Sequence, residues 1–310
     1  MVDTSTGVNF PQGGDSARST SATGRAIFAD SIRFTDPAIA ARIEHTKDWR
    51  HGYLAPLRDI VVAASRTSEA AVVISRDGLE SAHRRFVYAS ESGDAPLLEA
   101  VSEEPISPLT SVTVQGRAAR EVDLSVPYRG RRLFGNELRQ QIDSWVANGI
   151  AEPNFAVALH AVLDNPHWLD LRDVDIALVG AGAEMAPTRS QLRWGARVHG
   201  VDLPRKAIWD RLIAITRNTA GSLRIPIAVD PDGEPPFVVG GLIPPDDDEI
   251  VSASAGTDVL VNTAEIRQWF NTIEQPFVLG SYAYAEGATH ARLSMATDAI
   301  TLSLLNKRDD

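Results

Sequence analysis

Two glycines and an acid stand at a spacing that suits binding of an anionic group and a sugar. Gly180 and Gly182 follow the apolar run Val174 to Val179, and Asp202 comes 22 residues after Gly180. Glycines after a buried strand allow a tight turn, and the backbone amides that open the next helix attract negative charge. An acid at the end of the following strand can accept hydrogen bonds from two ribose hydroxyls. These residues predict a nucleotide-like ligand.

The elements that must position these residues are predicted from the same stretch. Val174 to Val179 predicts a buried strand, and Pro187 fits the first turn of a helix that ends near Gly195. Arg197 to Val201 predicts a second strand that ends at Asp202. At these residues the chain resembles the mononucleotide-binding half of the NAD(P)-binding Rossmann superfamily, in which the order is strand, glycine turn, helix, strand, acid.

The resemblance implies NAD or NADP as the cofactor. It places cofactor contacts at Gly180, Ala181, Gly182, Met185, Ala186 and Asp202. The spacing departs from the common G-x-G-x-x-G/A pattern, because Met185 stands at its last position and Ala186 gives a G-x-G-x-x-x-A spacing. Asp202 favours the free ribose of NAD, whereas Arg205 could bind the 2′-phosphate of NADP, so both cofactors stay open.

Two other functions fit the same residues. Methyltransferases that use S-adenosylmethionine share a glycine turn after the first strand and an acid after the second. Glu184 would repel a pyrophosphate unless it points away, which keeps that alternative open. The third alternative is a non-catalytic binding or assembly protein that keeps a Rossmann-like fold as a scaffold.

Candidate catalytic side chains lie near the C-terminus. The segment Gly280 to Gly287 follows a predicted strand and contains Tyr282 and Tyr284, and His290 follows it. A phenol or an imidazole can transfer a proton to a carbonyl group that is being reduced. The Tyr-x-x-x-Lys motif of short-chain dehydrogenases is absent, because Glu286 and Ala288 stand at the lysine positions. Tyr282, Tyr284 or His290 is therefore expected to transfer the proton.

Alternating elements predict the fold of the C-terminal half. Strands are expected over 174–179, 197–201, 223–229, 259–261 and 277–283, with helices over 206–218, 264–273 and 289–305. Asn262 and Thr263 would cap the second of these helices and join the cofactor site. This alternation predicts an α/β fold, a Rossmann-like parallel sheet with helices on both faces.

The N-terminal half predicts a mixed, largely helical domain. Helices are expected over 37–43, 53–64 and 153–163, together with one that Asn136 would cap, and strands over 112–114 and 122–127. Residues 1–24 are rich in Ser, Thr, Gly and Asp and predict a flexible tail. The expected domains are therefore 25–170 for substrate or accessory contacts and 171–310 for the nucleotide.

Composition limits the classes of partner. With 41 acidic and 30 basic residues, the net charge of −11 argues against a nucleic-acid partner. The absence of cysteine excludes disulfides and thiolate metal sites, and no two histidines have metal-ligand spacing. No apolar run approaches the roughly 20 residues of a membrane helix, and no secretory signal is evident. We expect a cytoplasmic, homo-oligomeric NAD(P)-dependent oxidoreductase that acts on a small organic substrate and binds no metal, nucleic acid or membrane.

Overall fold

A computed structural model describes residues 6–14, 17–105, 108–229 and 246–308. Among these residues the strands are β1 (Gly7–Asn9), β2 (Val87–Ser90), β3 (Gly93–Pro96), β4 (Thr110–Gln115), β5 (Ser125–Tyr128), β6 (Arg131–Phe134), β7 (Asp175–Val179), β8 (Arg197–Val201), β9 (Ser222–Ile227) and β10 (Phe277–Ser281). The helices are α1 (Thr20–Ile32), α2 (Pro37–Glu44), α3 (Trp49–Gly52), α4 (Leu54–Ala64), α5 (Ser68–Arg85), α6 (Leu97–Ser102), α7 (Gly135–Ala147), α8 (Pro153–Asp164), α9 (Thr188–Arg193), α10 (Lys206–Arg217), α11 (Asp248–Ser254), α12 (Thr263–Asn271) and α13 (Gly287–Lys307). The chain is therefore a mixed α/β protein.

The elements group into two compact units. The first unit takes its residues from Met1–Pro108, Asp258–Thr272 and Tyr284–Asp310, and the second from Leu109–Thr257 and Ile273–Ala283. This division differs from the boundary that the sequence predicted near residue 170. Strand β4 provides the physical reason, because it pairs with β9 and so ties the segment after Leu109 to the sheet of the second unit.

The first unit is mainly helical, with a small sheet. Side-chain caps begin four of its helices: Ser19, Asp36, Asp48 and Thr67 accept hydrogen bonds from backbone amides in the first turns of α1, α2, α3 and α5. The apolar faces of the N-terminal helices then bury a core that includes Ile32 and Ile43. Strands β1, β2 and β3 form an antiparallel sheet in that order.

Part of the predicted flexible tail is ordered. Gly7–Asn9 form β1 and α1 begins at Thr20, so the prediction of a flexible tail over residues 1–24 was wrong at these residues. Strand β1 pairs with β2, and the Val8 side chain is completely buried. The Val8 amide also donates to the Leu260 carbonyl over 2.8 Å. Two buried side chains, Val8 and Phe10, stabilise a strand whose sequence carries little apolar content.

The second unit is built on a sheet of five strands among the described residues, in the order β10-β7-β8-β9-β4. Strands β10, β7, β8 and β9 are parallel, and β4 lies antiparallel to β9 at one edge. One face carries aliphatic side chains such as Ile176, Val198 and Ile225, which pack against Trp209 and Leu212 of α10. The aliphatic residues of the central strands reflect this burial.

The strand predicted over 259–261 is wrong. These residues form a turn that leads into α12, in which the Val261 amide donates to the Asp258 carbonyl over 3.1 Å. Three apolar residues in a row do not distinguish a strand from a buried turn. The fifth strand of the sheet is β4, which contains the Val112 to Val114 run that the sequence placed in the N-terminal domain.

A smaller module of the second unit lies between β4 and β7 in the chain. Strands β5 and β6 form an antiparallel hairpin, and α7 and α8 pack together with it around Leu133, Leu138, Ile142 and Ala156. Asn136 does not cap α7 as predicted, because the helix begins at Gly135, two residues earlier than a cap at Asn136 requires, and Phe134 stands at the cap position.

Residues 230–249 form an acidic, proline-rich segment whose sequence predicts a surface loop or a flap over the site, and most of it lies outside the described residues. At its end, Asp246 pairs with Arg117 over 2.9 Å, Asp247 caps α11, and Asp248 pairs with Arg217 over 2.7 Å. These contacts give each of the three acids a structural partner. None of the helices in the described ranges combines the length and apolarity that a membrane span requires.

Candidate functional site

The candidate site begins where β7 ends. Gly180 has a φ of 80°, and its amide and that of Ala181 both donate to the Val201 carbonyl of β8, over 2.8 and 3.0 Å. A Cβ atom on Gly180 would lie 2.4 Å from the backbone nitrogen of Ala283. Glycine is therefore required at this position by its left-handed conformation and by the segment that follows β10.

The structure brings Asp202 onto the glycine turn. The Gly182 amide donates to Oδ2 of Asp202 over 2.7 Å, and the Leu203 amide donates to Oδ1 over 2.8 Å. The carboxylate is half-buried at the carboxyl end of β8. The carboxylate therefore links the backbone that follows β8 to the turn that follows β7.

Gly182 is required by packing within the protein. A Cβ atom there would lie 2.7 Å from Cγ2 of Ile208, 3.1 Å from Oδ2 of Asp202 and 3.2 Å from Nη2 of Arg211. Carbon atoms pack best at about 3.5–4.0 Å. The second glycine thus lets α10 approach the turn closely, and this explains the residue without a ligand.

The chain itself satisfies several backbone amides of the turn. The Ala183 amide donates to Gly180 and the Ala186 amide to Ala183, over 3.0 and 3.1 Å. Within the described part of the chain, the amides of Glu184 and Met185 have no such partner. Met185 is 83% exposed, so this is the accessible part of the turn.

Arg211 is a site residue that the sequence analysis missed. Its Nη2 donates to the Gly182 carbonyl over 2.5 Å, from the exposed side of α10. Ile208 and Arg211 are three residues apart on one helix, so both reach the same turn. That spacing was the available signal, and only contact with Gly182 distinguishes Arg211 from other surface arginines.

Other cations lie near the end of β8 in sequence. The Arg205 side chain is exposed and forms no ion pair among the described residues. Its neighbour Lys206 pairs with Asp210 over 2.8 Å and with Glu249 over 3.1 Å. Arg205 is therefore the more available of the two for an anionic ligand.

Gly256 and Thr257 complete the surroundings of Asp202. A Cβ atom on Gly256, whose φ is 98°, would lie 2.4 Å from Nε1 of Trp209 and 2.8 Å from the Asp202 carbonyl. The Thr257 amide donates to that same carbonyl over 2.9 Å. The backbone of Asp202 is thereby fixed while its side chain turns to the glycines.

Asn262 and Thr263, which the sequence placed at the cofactor site, belong to the first unit. Thr263 is completely buried, and its hydroxyl donates to the Val259 carbonyl over 2.7 Å. Asn262 stands at the N-cap of α12, and its amide donates to the Asp258 carbonyl over 2.8 Å. Both residues shape the turn that opens α12, and their contact with a cofactor stays a prediction.

The candidate catalytic residues are divided between the units. Tyr282 lies in the second unit, where its amide donates to Val179 over 2.7 Å and its ring packs on the core. Tyr284 and His290 lie in the first unit, with ring centroids 5.1 Å apart. Tyr284 is 75% exposed. The structure brings Tyr284 and His290 together, and their catalytic role stays a prediction.

A buried polar cluster lies at the opposite, amino ends of the strands. His199 Nε2 is 2.7 Å from Asp175 Oδ1, and Arg197 also donates to this carboxylate, with one contact of 2.6 Å. Burial lowers the pKa of His199, although the contact with Asp175 raises it. Burial opposes ionisation of Asp175, but hydrogen bonds from Arg197 and His199 lower its pKa. This cluster links β7 to β8 and explains His199 structurally.

Comparisons with protein-family models, curated proteins and solved structures found no match to this chain. Among the described residues, no three acidic or histidine side chains converge in a group that could hold a metal ion.

Proposed function

We propose that the second unit binds the adenosine part of NAD or NADP and that the protein is an NAD(P)-dependent oxidoreductase. One observation carries the proposal: the Asp202 carboxylate is held on the Gly180–Gly182 turn at the carboxyl edge of a parallel sheet. In open α/β sheets, ligands bind outside this edge.

The strand order supports a Rossmann-like arrangement, which is part of the proposal. From β7 the chain continues outward to β8 and β9, and then returns to the other side of β7 for β10. The order β9-β8-β7-β10 is that of the first four strands of a doubly wound sheet, 3-2-1-4. Gly180 stands at the point where the order reverses, which is the usual ligand position in such sheets.

Asp202 keeps enough hydrogen-bonding capacity for a ribose. A carboxylate offers about four lone-pair sites, and here Gly182 and Leu203 donate to two of them. About two sites remain for the 2′ and 3′ hydroxyl groups. The backbone contacts also orient the carboxylate before any ligand binds, which reduces the entropy lost on binding.

Local charge favours a phosphate-bearing ligand. Arg211 contacts the turn, and the exposed Arg205 follows Asp202 by three residues. The Arg211 guanidinium at the turn counteracts Glu184 in a chain whose net charge is −11. Arginine binds phosphate oxygens through paired, charge-assisted hydrogen bonds.

S-adenosylmethionine is the second candidate ligand, and a specific observation favours it. The amides of Gly180, Ala181, Gly182, Ala183 and Ala186 all donate to the protein's own acceptors. Helix α9 has only six residues, so it adds little to anion binding. A ligand that lacks a pyrophosphate would need neither the amides nor the helix, whereas the acid would still bind its ribose.

A thermal-shift panel with NADH, NADPH and S-adenosylmethionine tests both candidates. A ligand present at about 100 times its dissociation constant stabilises the folded state by roughly 2.7 kcal/mol. We expect NADH or NADPH to raise the melting temperature and S-adenosylmethionine to leave it unchanged. A shift with S-adenosylmethionine alone would establish the second candidate, and no shift with any ligand would favour a non-catalytic protein.

The Asp202→Asn variant tests the site itself. An amide can still accept a hydrogen bond from one backbone amide but has no charge for the ribose hydroxyls. We expect the cofactor shift to fall strongly in Asp202→Asn and to persist in the matched control Asp210→Asn, an exposed acid on α10. Equal shifts in both variants would refute the assignment of Asp202.

In this proposal, hydride passes between the nicotinamide and a small organic substrate, and Tyr282, Tyr284 or His290 transfers the proton. Tyr284→Phe and His290→Gln remove the proton-bearing groups of the exposed ring pair. Either variant should lower kcat with a productive substrate while leaving the cofactor shift intact. Tyr282→Phe tests the third candidate, whose ring packs on the core, and a loss of kcat in that variant alone would assign the proton transfer to Tyr282.

A further inference from the structure

Met185 is an exposed methionine on the glycine turn. Its side chain is 83% exposed, and no large apolar side chain of the described residues exceeds this value. The residue lies between β7 and α9, outside any helix or strand. Packing in a core therefore does not explain the side chain, and its sulfur atom is open to solvent.

The chain offers an oxidant few other sulfur atoms. It contains three methionines and no cysteine. Met295, on α13, is only 8% exposed, and Met1 lies outside the described residues. A thioether is oxidised to the sulfoxide where an oxidant can reach it, so exposure distinguishes Met185 from Met295. Within the described ranges, Met185 carries the one exposed sulfur atom.

The position of Met185 couples this sulfur atom to the candidate site. The amides of Glu184 and Met185 have no backbone acceptor among the described residues, whereas those of Gly182, Ala183 and Ala186 donate to the protein itself. An anionic ligand at the turn therefore has these two amides available. A ligand atom that accepts from the Met185 amide lies about 2.9 Å from its nitrogen, within reach of the side chain of the same residue.

We propose that Met185 is a redox-sensitive modification site: a peroxide oxidises its thioether to the sulfoxide, and the sulfoxide weakens ligand binding at the glycine turn. This inference rests on the proposed function, because it takes the turn as part of the ligand site. It adds a regulation of that site by peroxide.

The oxidation is a two-electron reaction with hydrogen peroxide as the oxidant. A lone pair of the sulfur attacks one peroxide oxygen, an S–O bond forms and the O–O bond breaks. The transferred oxygen passes its proton to the leaving hydroxide, so the products are the sulfoxide and water. Sulfur is oxidised and the peroxide is reduced, and methionine sulfoxide reductases can reverse the change.

The sulfoxide changes the turn in two ways. The side chain becomes polar, so a ligand that covers it must remove bound water from it. The new oxygen also carries partial negative charge and accepts hydrogen bonds, so it competes with an anionic ligand for the amides of Glu184 and Met185. Both effects disfavour binding, and we expect the dissociation constant to rise about tenfold.

Limited peroxide treatment followed by peptide mass spectrometry tests the modification. Met185 should gain an oxygen atom at least about tenfold faster than Met295, which is a buried control in the same chain. Similar rates at the two positions would overturn the proposal.

Titration with NADH and NADPH before and after peroxide treatment tests the consequence. The natural chain should bind about tenfold more weakly after oxidation. Met185→Leu, which has no thioether at this position, should show the same affinity before and after peroxide, whatever its starting value. The matched control Met295→Leu should respond to peroxide as the natural chain does.

The outcomes separate this inference from the proposed function. Unchanged binding after oxidation of Met185, or a Met185→Leu variant that still loses affinity on treatment, would overturn the redox proposal and leave the proposed function standing. An untreated chain that binds neither NADH nor NADPH would refute the proposed function, and with it the effect of oxidation on binding.

Discussion

Replacing Gly182 by alanine should destabilise the second unit in the absence of any ligand. Gly182 does not have a positive φ, so its backbone conformation accepts alanine. The added methyl group would nevertheless lie 2.7 Å from Cγ2 of Ile208, about 1 Å inside the best carbon–carbon distance. Overpacking of this kind costs about 1–3 kcal/mol. Reduced entropy of the unfolded chain returns about 0.4–1 kcal/mol, so the net loss should be about 1–2 kcal/mol.

A second substitution, Ile208→Ala, tests whether the clash with Ile208 causes the loss of stability in Gly182→Ala. This substitution removes Cγ2 and gives the new methyl group room, while losing stability of its own because Ile208 packs on the core of the second unit. In that background Gly182→Ala should destabilise much less, because only the contacts with Asp202 at 3.1 Å and Arg211 at 3.2 Å remain. The double-mutant cycle therefore predicts a coupling free energy of about 1–3 kcal/mol between the two positions.

Equilibrium urea denaturation provides the measurement, because the second unit contains the fully buried Trp209 as a fluorescent reporter. All four proteins of the cycle should be compared without cofactor. If Gly182→Ala proved as stable as the natural chain yet failed to bind nucleotide, the packing argument would be refuted, and the glycine would be required by the ligand instead.

Two further predictions concern buried polar groups in each unit. In the first unit, Arg267 is completely buried and donates to the carbonyls of Val101 and Glu103, so Arg267→Leu should lower the free energy of unfolding by about 2 kcal/mol or more in urea titrations. A smaller loss would mean that water reaches these carbonyls. In the second unit, burial lowers the pKa of His199, and the contact with Asp175 opposes this shift only in part. The imidazole is therefore harder to protonate in the folded chain than in the unfolded chain, where a histidine titrates near pH 6.5. Stability should therefore fall as the pH drops below about 6.5, and His199→Asn should flatten that part of the stability profile measured by urea titration at several pH values; an unchanged slope would contradict the reasoning.

The parallel strands were predictable because their sequences are dictated by local burial. Strands β7 and β8 coincide closely with the predicted strands, since strands buried on both faces are rich in aliphatic residues, although Asp175, Arg197 and His199 also lie in them. The pairing of β4 with β9 was not predictable, because it depends on a contact between residues more than one hundred positions apart. The turn at 259–261 shows the converse error, since a short apolar run was interpreted as a strand.

The candidate site was predictable in its residues but not in its hydrogen bonds. The spacing of Gly180, Gly182 and Asp202 predicts that the acid lies close to the glycine turn. In the structure the Gly182 amide donates to Asp202 over 2.7 Å, as this prediction requires. No pattern in the sequence showed that the chain would satisfy most of the turn's amides itself. Arg211 was missed for a related reason, because an exposed arginine on a helix is ordinary until its partner is known.

The two glycines illustrate why a motif cannot identify a ligand. Gly180 is required by the backbone of Ala283 and Gly182 by Ile208, so packing alone would keep both residues. Asp202 differs from the two glycines. The amides of Gly182 and Leu203 use two acceptor sites of its carboxylate, and further acceptor sites remain at the carboxyl edge of the sheet. A residue that serves only to hold a turn has no need of that capacity. The acid, rather than the glycines, is therefore the position at which substitution separates a ligand site from a packed turn.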